Sequence, residues 1–159
     1  MIKNYNRDLA VQYALKYALV PNPNYFYFDT LGGDCTNFIS QCLLSGGAVM
    51  NFDKIDGWFY QNSYNRSPSW TSVFYLQKFL TENKTRGPFG QVVDLTKIQT
   101  GDIIQIKQNP SRFNHSVIVT KIEDGQIYVC AHTYNVKNKR LSSYPYIELL
   151  PIHIQGIYV

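Results

Sequence analysis

The chain has 159 residues, a net charge of +4, 45% apolar and only 16% charged residues. That is enough for one domain, 1–159, to close a hydrophobic core without staples, and it excludes a disordered or fibrous chain. The positive charge is scattered with no Lys/Arg block, which argues against a nucleic-acid partner and favours approach to an anionic polymer. Three cysteines at 35, 42 and 130 are an odd number without a CxxC pair, so neither a disulfide framework nor a zinc site is expected.

Taken in order, Leu9, Ala10, Tyr13, Ala14, Tyr17 and Ala18 recur at three and four, and predict a helix over about 7–19 that Pro21-Asn22-Pro23-Asn24 ends. Gly32-Gly33 then breaks the chain, Asp34 is placed to cap a helix, and Phe38, Ile39, Cys42 and Leu43 repeat at helical spacing until Gly46-Gly47. From Gly47 to Ser69 there is little periodicity, and this reads as an irregular loop. Its aromatic residues Trp58 and Tyr60, with Trp70 just beyond, are candidates for a substrate-contacting wall. A second helix is expected over about 69–81, buried on two sides. Gly87, Pro88 and Gly90 predict a turn. Ile103–Ile106 reads as a strand, His115–Ile122 and Gln126–Thr133 as a hairpin about Asp124-Gly125, and Tyr146–Leu150 and Ile152–Val159 as two strands separated by Pro151. Helices first and an antiparallel, partly curled sheet second make an α+β pattern.

The chemistry lies in two places. Cys35 falls at the first position of its helix, where unpaired N–H groups and the positive end of the helix dipole favour thiolate and are expected to lower the thiol pKa. A nucleophile needs a base, and the chain has only His115, His132 and His153. With Asp124-Gly125 as a two-residue turn, His132 comes opposite Val117 and shares a sheet face with His115, as a base and its orienting group require. His153, between Ile152 and Ile154, has no partner in view and reads as structural. Cys42 and Cys130 read as small buried hydrophobes. The backbone at Asp34 and the N–H of Cys35 are candidates for holding an oxyanion, with Asn114 and Gln41 as lesser polar contacts.

Asp34-Cys35-Thr36-Asn37-Phe38, followed by Trp70-Thr71, Gly101-Asp102 before a strand and His115-Ser116 opening another, resembles the amidase type 6 domain. That family is related to the NlpC/P60 and CHAP cysteine hydrolases. The resemblance covers nearly the whole chain and implies a papain-like fold, with N-terminal helices packed on a C-terminal sheet. By that resemblance Cys35 matches the nucleophile and His115 the general base, and the third position falls to His132 or else Asn135. A tyrosine just upstream of the nucleophile helps hold such sites, which points to Tyr27 or Tyr25.

The reading is thus a cysteine hydrolase of amide bonds that needs no metal or organic cofactor. The resemblance makes peptidoglycan or a peptide the substrate, by cleavage at N-acetylmuramoyl-L-alanine or within the stem peptide. An acyltransferase of the same fold and an inactive wall-binding module remain alternatives. No apolar run reaches the length of a signal peptide or a membrane span. The expectation is therefore a monomer without membrane insertion, cytoplasmic until released in the manner of a phage lysin, or else a module of a secreted wall protein.

Overall fold

A computed structural model describes residues 1–159 and shows an α+β chain with four α-helices and a mainly antiparallel sheet. Helix α1 is Arg7–Tyr17. Asn6 caps it by accepting from the Leu9 N–H (3.1 Å), which satisfies one of the donors a helix start leaves unpaired. Helix α2 is Cys35–Ser45 and stops at Gly46 as the sequence predicts. The single helix expected over 69–81 is instead α3, Pro68–Thr71, and α4, Val73–Glu82, separated by Ser72 in an extended conformation (φ −106°, ψ 131°). The Ser72 hydroxyl accepts from the Tyr75 N–H (3.3 Å), so a side chain that competes with the backbone ends one helix and caps the next. Only one side of α4 is buried, through Leu76, Phe79 and Leu80; Phe74 and Tyr75 are exposed. No helix is long and apolar enough to cross a membrane.

The strands are β1 (Ile2–Lys3), β2 (Tyr60–Asn62), β3 (Asn65–Arg66), β4 (Gly87–Val92), β5 (Ile103–Lys107), β6 (His115–Glu123), β7 (Gln126–Ala131), β8 (Val136–Arg140) and β9 (Glu148–Tyr158). Strands β2 and β3 make a small hairpin inside the stretch read as irregular. The others form one sheet in the order β1-β9-β5-β6-β7-β8, with β4 also on β9. Strand β9 organises it: β5 pairs with its first half, and β4 with its second half on the opposite edge. Pro151 does not divide it. The Pro151 carbonyl accepts from the Val93 N–H (3.1 Å) on the β4 side, so the missing proline N–H lies opposite Val93, just past the end of β4, and only the reciprocal bond at the end of that pairing is lost. The expected turn at 87–90 is strand β4. Gly90 lies so close to β9 that a Cβ there would sit 2.4 Å from the His153 carbonyl oxygen, so glycine marks a tight strand contact rather than a bend.

The hairpin turn at Asp124-Gly125 forms with positive φ at both residues. Its register does not hold. Glu123 pairs with Gln126, Ile122 with Ile127 and Lys121 with Tyr128, but then Val119 pairs with Val129 and Ile118 with Cys130. Thr120 is an extra residue, a β-bulge, and everything beyond it slips by one. Ile118, Cys130, Ile103 and Ile152 face helices α1, α2 and α4 in the larger core, while Val117, Val119, Val129 and Ala131 join Ile104, Ile106 and Leu141 on the other face.

A buried ionic node ties the first helix to the sheet. Asp102, fully buried, accepts from Arg7 Nη1 (2.6 Å), the Ile154 N–H (2.9 Å) and the Gln99 N–H (2.9 Å), and lies 2.9 Å from His153 Nδ1. His153 therefore has a partner, and the Gly101-Asp102 pair has a structural cause. Asp102→Ala leaves Arg7 and two N–H groups without their acceptor, and a loss of about 3 kcal/mol is expected from the urea unfolding midpoint.

Candidate active site

The loop before α2 is built around one carboxylate. The Phe28 carbonyl accepts from the N–H groups of Leu31 (2.9 Å) and Gly33 (3.1 Å), closing the loop on itself. Gly33 has φ 102°, and a Cβ there would lie 2.9 Å from Thr133 Oγ1, so glycine is required both for the turn and for the approach. Asp34 follows. Its N–H donates to Thr133 Oγ1 (3.0 Å), its Oδ1 accepts from the Phe28 N–H and from Asn37 Nδ2 (both 2.8 Å), and its Oδ2 lies 2.5 Å from His132 Nδ1. The side-chain cap expected of Asp34 is absent. Its oxygens are already occupied, and the first N–H groups of α2 are left uncapped.

His132 is completely buried and stacks on Phe38 with ring centroids 4.0 Å apart. Its Nε2 donates to the Tyr17 carbonyl (2.7 Å) and its Nδ1 is committed to Asp34. Both ring nitrogens are therefore used, and neither is bonded to His115. The bulge at Thr120 is the reason: continuing the observed register sets His132 opposite Ser116, on the helix face, instead of opposite Val117 on the row that holds His115. In place of the expected orienting contact, His132 fastens the end of β7 to the Cys35 loop and to the end of α1.

Cys35 begins α2 and is 8% exposed. The first helical hydrogen bond runs from the Phe38 N–H to the Asp34 carbonyl (3.0 Å), so the N–H groups of Cys35, Thr36 and Asn37 precede the ladder. The backbone N–H groups of Ser116 and Thr36 and the Thr36 hydroxyl (3.7 Å) favour a negative sulfur, yet burial outweighs them and pushes the thiol up from its usual range. This reverses the expected direction. A helix terminus offers partial charges worth about 1 kcal/mol, and desolvation of a covered thiolate costs more.

His115 opens β6 and is 6% exposed. The Thr36 and Ser116 hydroxyls bond to each other, so the residues that follow Cys35 and His115 join the first turn of α2 to the start of β6. Burial, with Lys139 nearby, pushes the imidazole down to about 4. Tyr144 completes the group. Its ring lies 5.8 Å from that of His115, its phenol is pushed up to about 12, chiefly by burial and then by Cys130 and Cys35, and Lys139 Nζ sits 3.9 Å from its ring centre. At neutral pH the pair rests as thiol and neutral imidazole.

The remaining candidates divide. Tyr27 and Asn135 come together, with Asn135 Nδ2 donating to the Tyr27 hydroxyl (3.2 Å), and the Tyr27 ring stands edge-on to His132. They brace His132 and are not bonded to His115. Trp58 and Trp70 are fully buried, so neither presents a ring to a substrate. Their indole N–H groups donate to Ser40 Oγ (3.1 Å) and Asn37 Oδ1 (2.8 Å), which makes them packing for α2. Tyr60 is half-buried, and its hydroxyl accepts from the Phe26 N–H (2.8 Å). Asn114 holds the loop before β6 by bonding Gln108 twice. Thr36, Ser116, Thr133 and Tyr144 went unpredicted. The first two had a signal, since each directly follows a candidate catalytic residue; they meet at 3.2 Å between hydroxyls. Nowhere do three His, Cys, Asp or Glu side chains gather as a metal cage would need.

The family model described as "Putative amidase domain" matches residues 4–154. Among curated proteins, the chain is similar to YhbB of Bacillus subtilis (strain 168), at 36% identity over 82% of this chain and 42% of that protein. It is also similar to YjcM of the same strain, at 27% identity over 86% of this chain and 33% of that protein. The chain thus spans less than half the length of either. No solved structure matches it.

The burial of His115 has a consequence for stability. Its native pKa of about 4 is below the ordinary 6.5, so between those values the unfolded chain binds a proton that the native one does not, and stability rises with pH across that window. Urea unfolding of the parent should therefore weaken steadily from pH 6.5 to 4. In His115→Asn that part of the slope should disappear; an unchanged slope would mean that His115 is not buried as a neutral ring.

Proposed function

Because the chain belongs to the putative amidase domain family, we propose that it hydrolyses amide bonds with Cys35 as nucleophile and His115 as general base. One observation supports this assignment of residues: Cys35 begins a buried helix whose first turn is held to the start of β6, with the Thr36 hydroxyl 3.2 Å from that of Ser116, the residue after His115. Such a juxtaposition brings a nucleophile, a base and unpaired N–H donors to one region.

With the thiol raised and the imidazole lowered, a preformed ion pair is disfavoured. The proton passes from Sγ to His115 as the sulfur bonds to the amide carbon, and the carbonyl oxygen takes up the negative charge. The N–H groups at the start of α2 are the donors available for that oxygen. When the tetrahedral species collapses, the C–N bond breaks and His115 returns its proton to the leaving amine. Water then attacks the thioester with His115 again taking the proton, and Cys35 is restored. His132 acts at one remove, as a positioning residue that holds Asp34 and hence the first turn of α2. Tyr144, against the His115 ring, is the side chain best placed to limit its rotation.

For the substrate we favour a peptide amide of the bacterial wall. The scattered net charge of +4 suits an anionic wall polymer, and a helix carrying the nucleophile packed against strands carrying the base is the plan expected of the papain-like NlpC/P60 and CHAP hydrolases. Acyl transfer to an amine uses the same first half-reaction. The nearly closed thiol keeps that second reading in play, because limited water favours a competing acceptor.

The test is clearing of purified bacterial walls, together with release of new amino groups, by the parent, Cys35→Ser and His115→Ala, each checked for folding. Cys35→Ser is expected to be inactive and His115→Ala to lose about 10²–10⁴-fold. Mass spectrometry of the fragments then names the bond. Equal activity in all three would remove Cys35 as the nucleophile. The acid limb of the parent's kcat/KM profile should fall near pH 4 rather than 6.5.

A further inference from the structure

A second concave site lies toward the far end of α2. A cleft of about 450 Å3 opens between α1, the 22–25 segment, the second half of α2 and the Tyr60 strand. Gln41 is six residues beyond Cys35, so it lies about 9 Å further along the axis and, at roughly 100° per residue, on a different side of the helix. No charged side chain lines the cleft.

Its polar groups form a directed chain. The Asn24 N–H donates to Asn22 Oδ1 (2.9 Å), Asn22 Nδ2 donates to the Tyr13 hydroxyl (3.1 Å), and that hydroxyl donates to Gln41 Oε1 (2.5 Å). The chain fixes the orientation of the Gln41 amide. Gln41 is 3% exposed, and its Nε2 has no acceptor in the protein. An amide donor held in one orientation and open to the cleft is offered to an acceptor from a ligand. Beside it the half-buried Tyr25 and Tyr60 stand 5.2 Å apart and inclined at 48°, both packed on Trp70 and both in the cleft lining, while Leu44 and Met50 give an apolar wall.

We propose that this cleft binds an N-acetylated amino sugar. The acetamido carbonyl is a strong neutral acceptor for Gln41 Nε2, its methyl suits the Leu44 and Met50 wall, and the C–H face of the ring packs on Tyr25 and Tyr60. Ser45 and Gln61 at the rim meet the hydroxyls. The site would hold a glycan strand beside the thiol while leaving the reaction centre free for the attached peptide. That use of the site rests on the cell-wall reading above; binding itself does not.

The test is calorimetric titration of the full chain with N,N′,N″-triacetylchitotriose, with maltotriose as the sugar that lacks acetamido groups, while the Gln41 side-chain amide is followed by 15N NMR. Saturable binding of the first with movement of that amide, and at least about tenfold weaker binding by Gln41→Leu, are expected, since one hydrogen bond of this kind is worth about 1.4 kcal/mol. Should Gln41→Leu fail to fold, Ser45→Tyr fills the cleft from its rim and should weaken binding equally. No binding at millimolar sugar, equal affinity for maltotriose, or no loss in a folded variant would overturn the proposal. Binding without wall hydrolysis would defeat the amidase reading alone, and hydrolysis without binding would defeat this one alone.

Discussion

The contact between Asp34 and His132 is the constraint on which the arrangement depends. Both side chains are essentially without solvent exposure, and between them they hold Phe28, Asn37, the carbonyl at the end of α1 and the end of β7. Removing one member of a buried pair is far more costly than the net worth of the pair, so its value lies in geometry. It allows the chain to enter α2 at one angle only, with the first residue of the helix facing β6. Thr133, held at φ 59°, pays the backbone strain that completes the lock from the sheet side.

Helix α2 is buried from Cys35 through Leu43. A helix so placed would ordinarily be apolar all round, yet this one carries Thr36, Asn37, Ser40 and Gln41. Each has a dedicated partner: Ser116 for Thr36, Trp70 for Asn37 and Ser40, and Tyr13 for Gln41. Polar groups satisfied in this way fix the rotation of the helix, where an apolar surface would allow it to settle in several. The two tryptophans serve that fixing through their N–H groups as well as filling volume. Rotation matters because it sets which residues of α2 meet β6 and which line the cleft beside α1.

The elements that could be read from the sequence were those with strong local causes: α1 and α2 from apolar periodicity and glycine stops, β5 and β6 from β-branched runs, and the Asp124-Gly125 turn from its residue types. Long-range pairing overrode local signals elsewhere. Strand β4 forms through Gly87, Pro88 and Gly90 because β9 needs a neighbour, and β9 runs through Pro151 because the donor is lost only at the end of the β4 pairing. In the site, the helix begun by Cys35 and the strand begun by His115 were legible as elements, and the structure packs them together. The placing of His132 was not, since one extra residue at Thr120 reverses which face every later side chain takes, and nothing near Thr120 in the sequence marks a bulge. Trp58, in a stretch without periodicity, and Trp70, just beyond it, were read as substrate-contacting; both are buried, with their indole N–H groups bonded to a helix distant in sequence.

The covering of Cys35 also governs its fate toward oxidants. Peroxide and alkylating reagents attack the thiolate, and their rates follow both its fraction and its access. A thiol kept protonated by burial and only 8% exposed is slow on both counts, and Cys42 and Cys130, buried and unpaired like it, draw no attack toward the interior. The same desolvation that keeps the sulfur protonated thus preserves it in air.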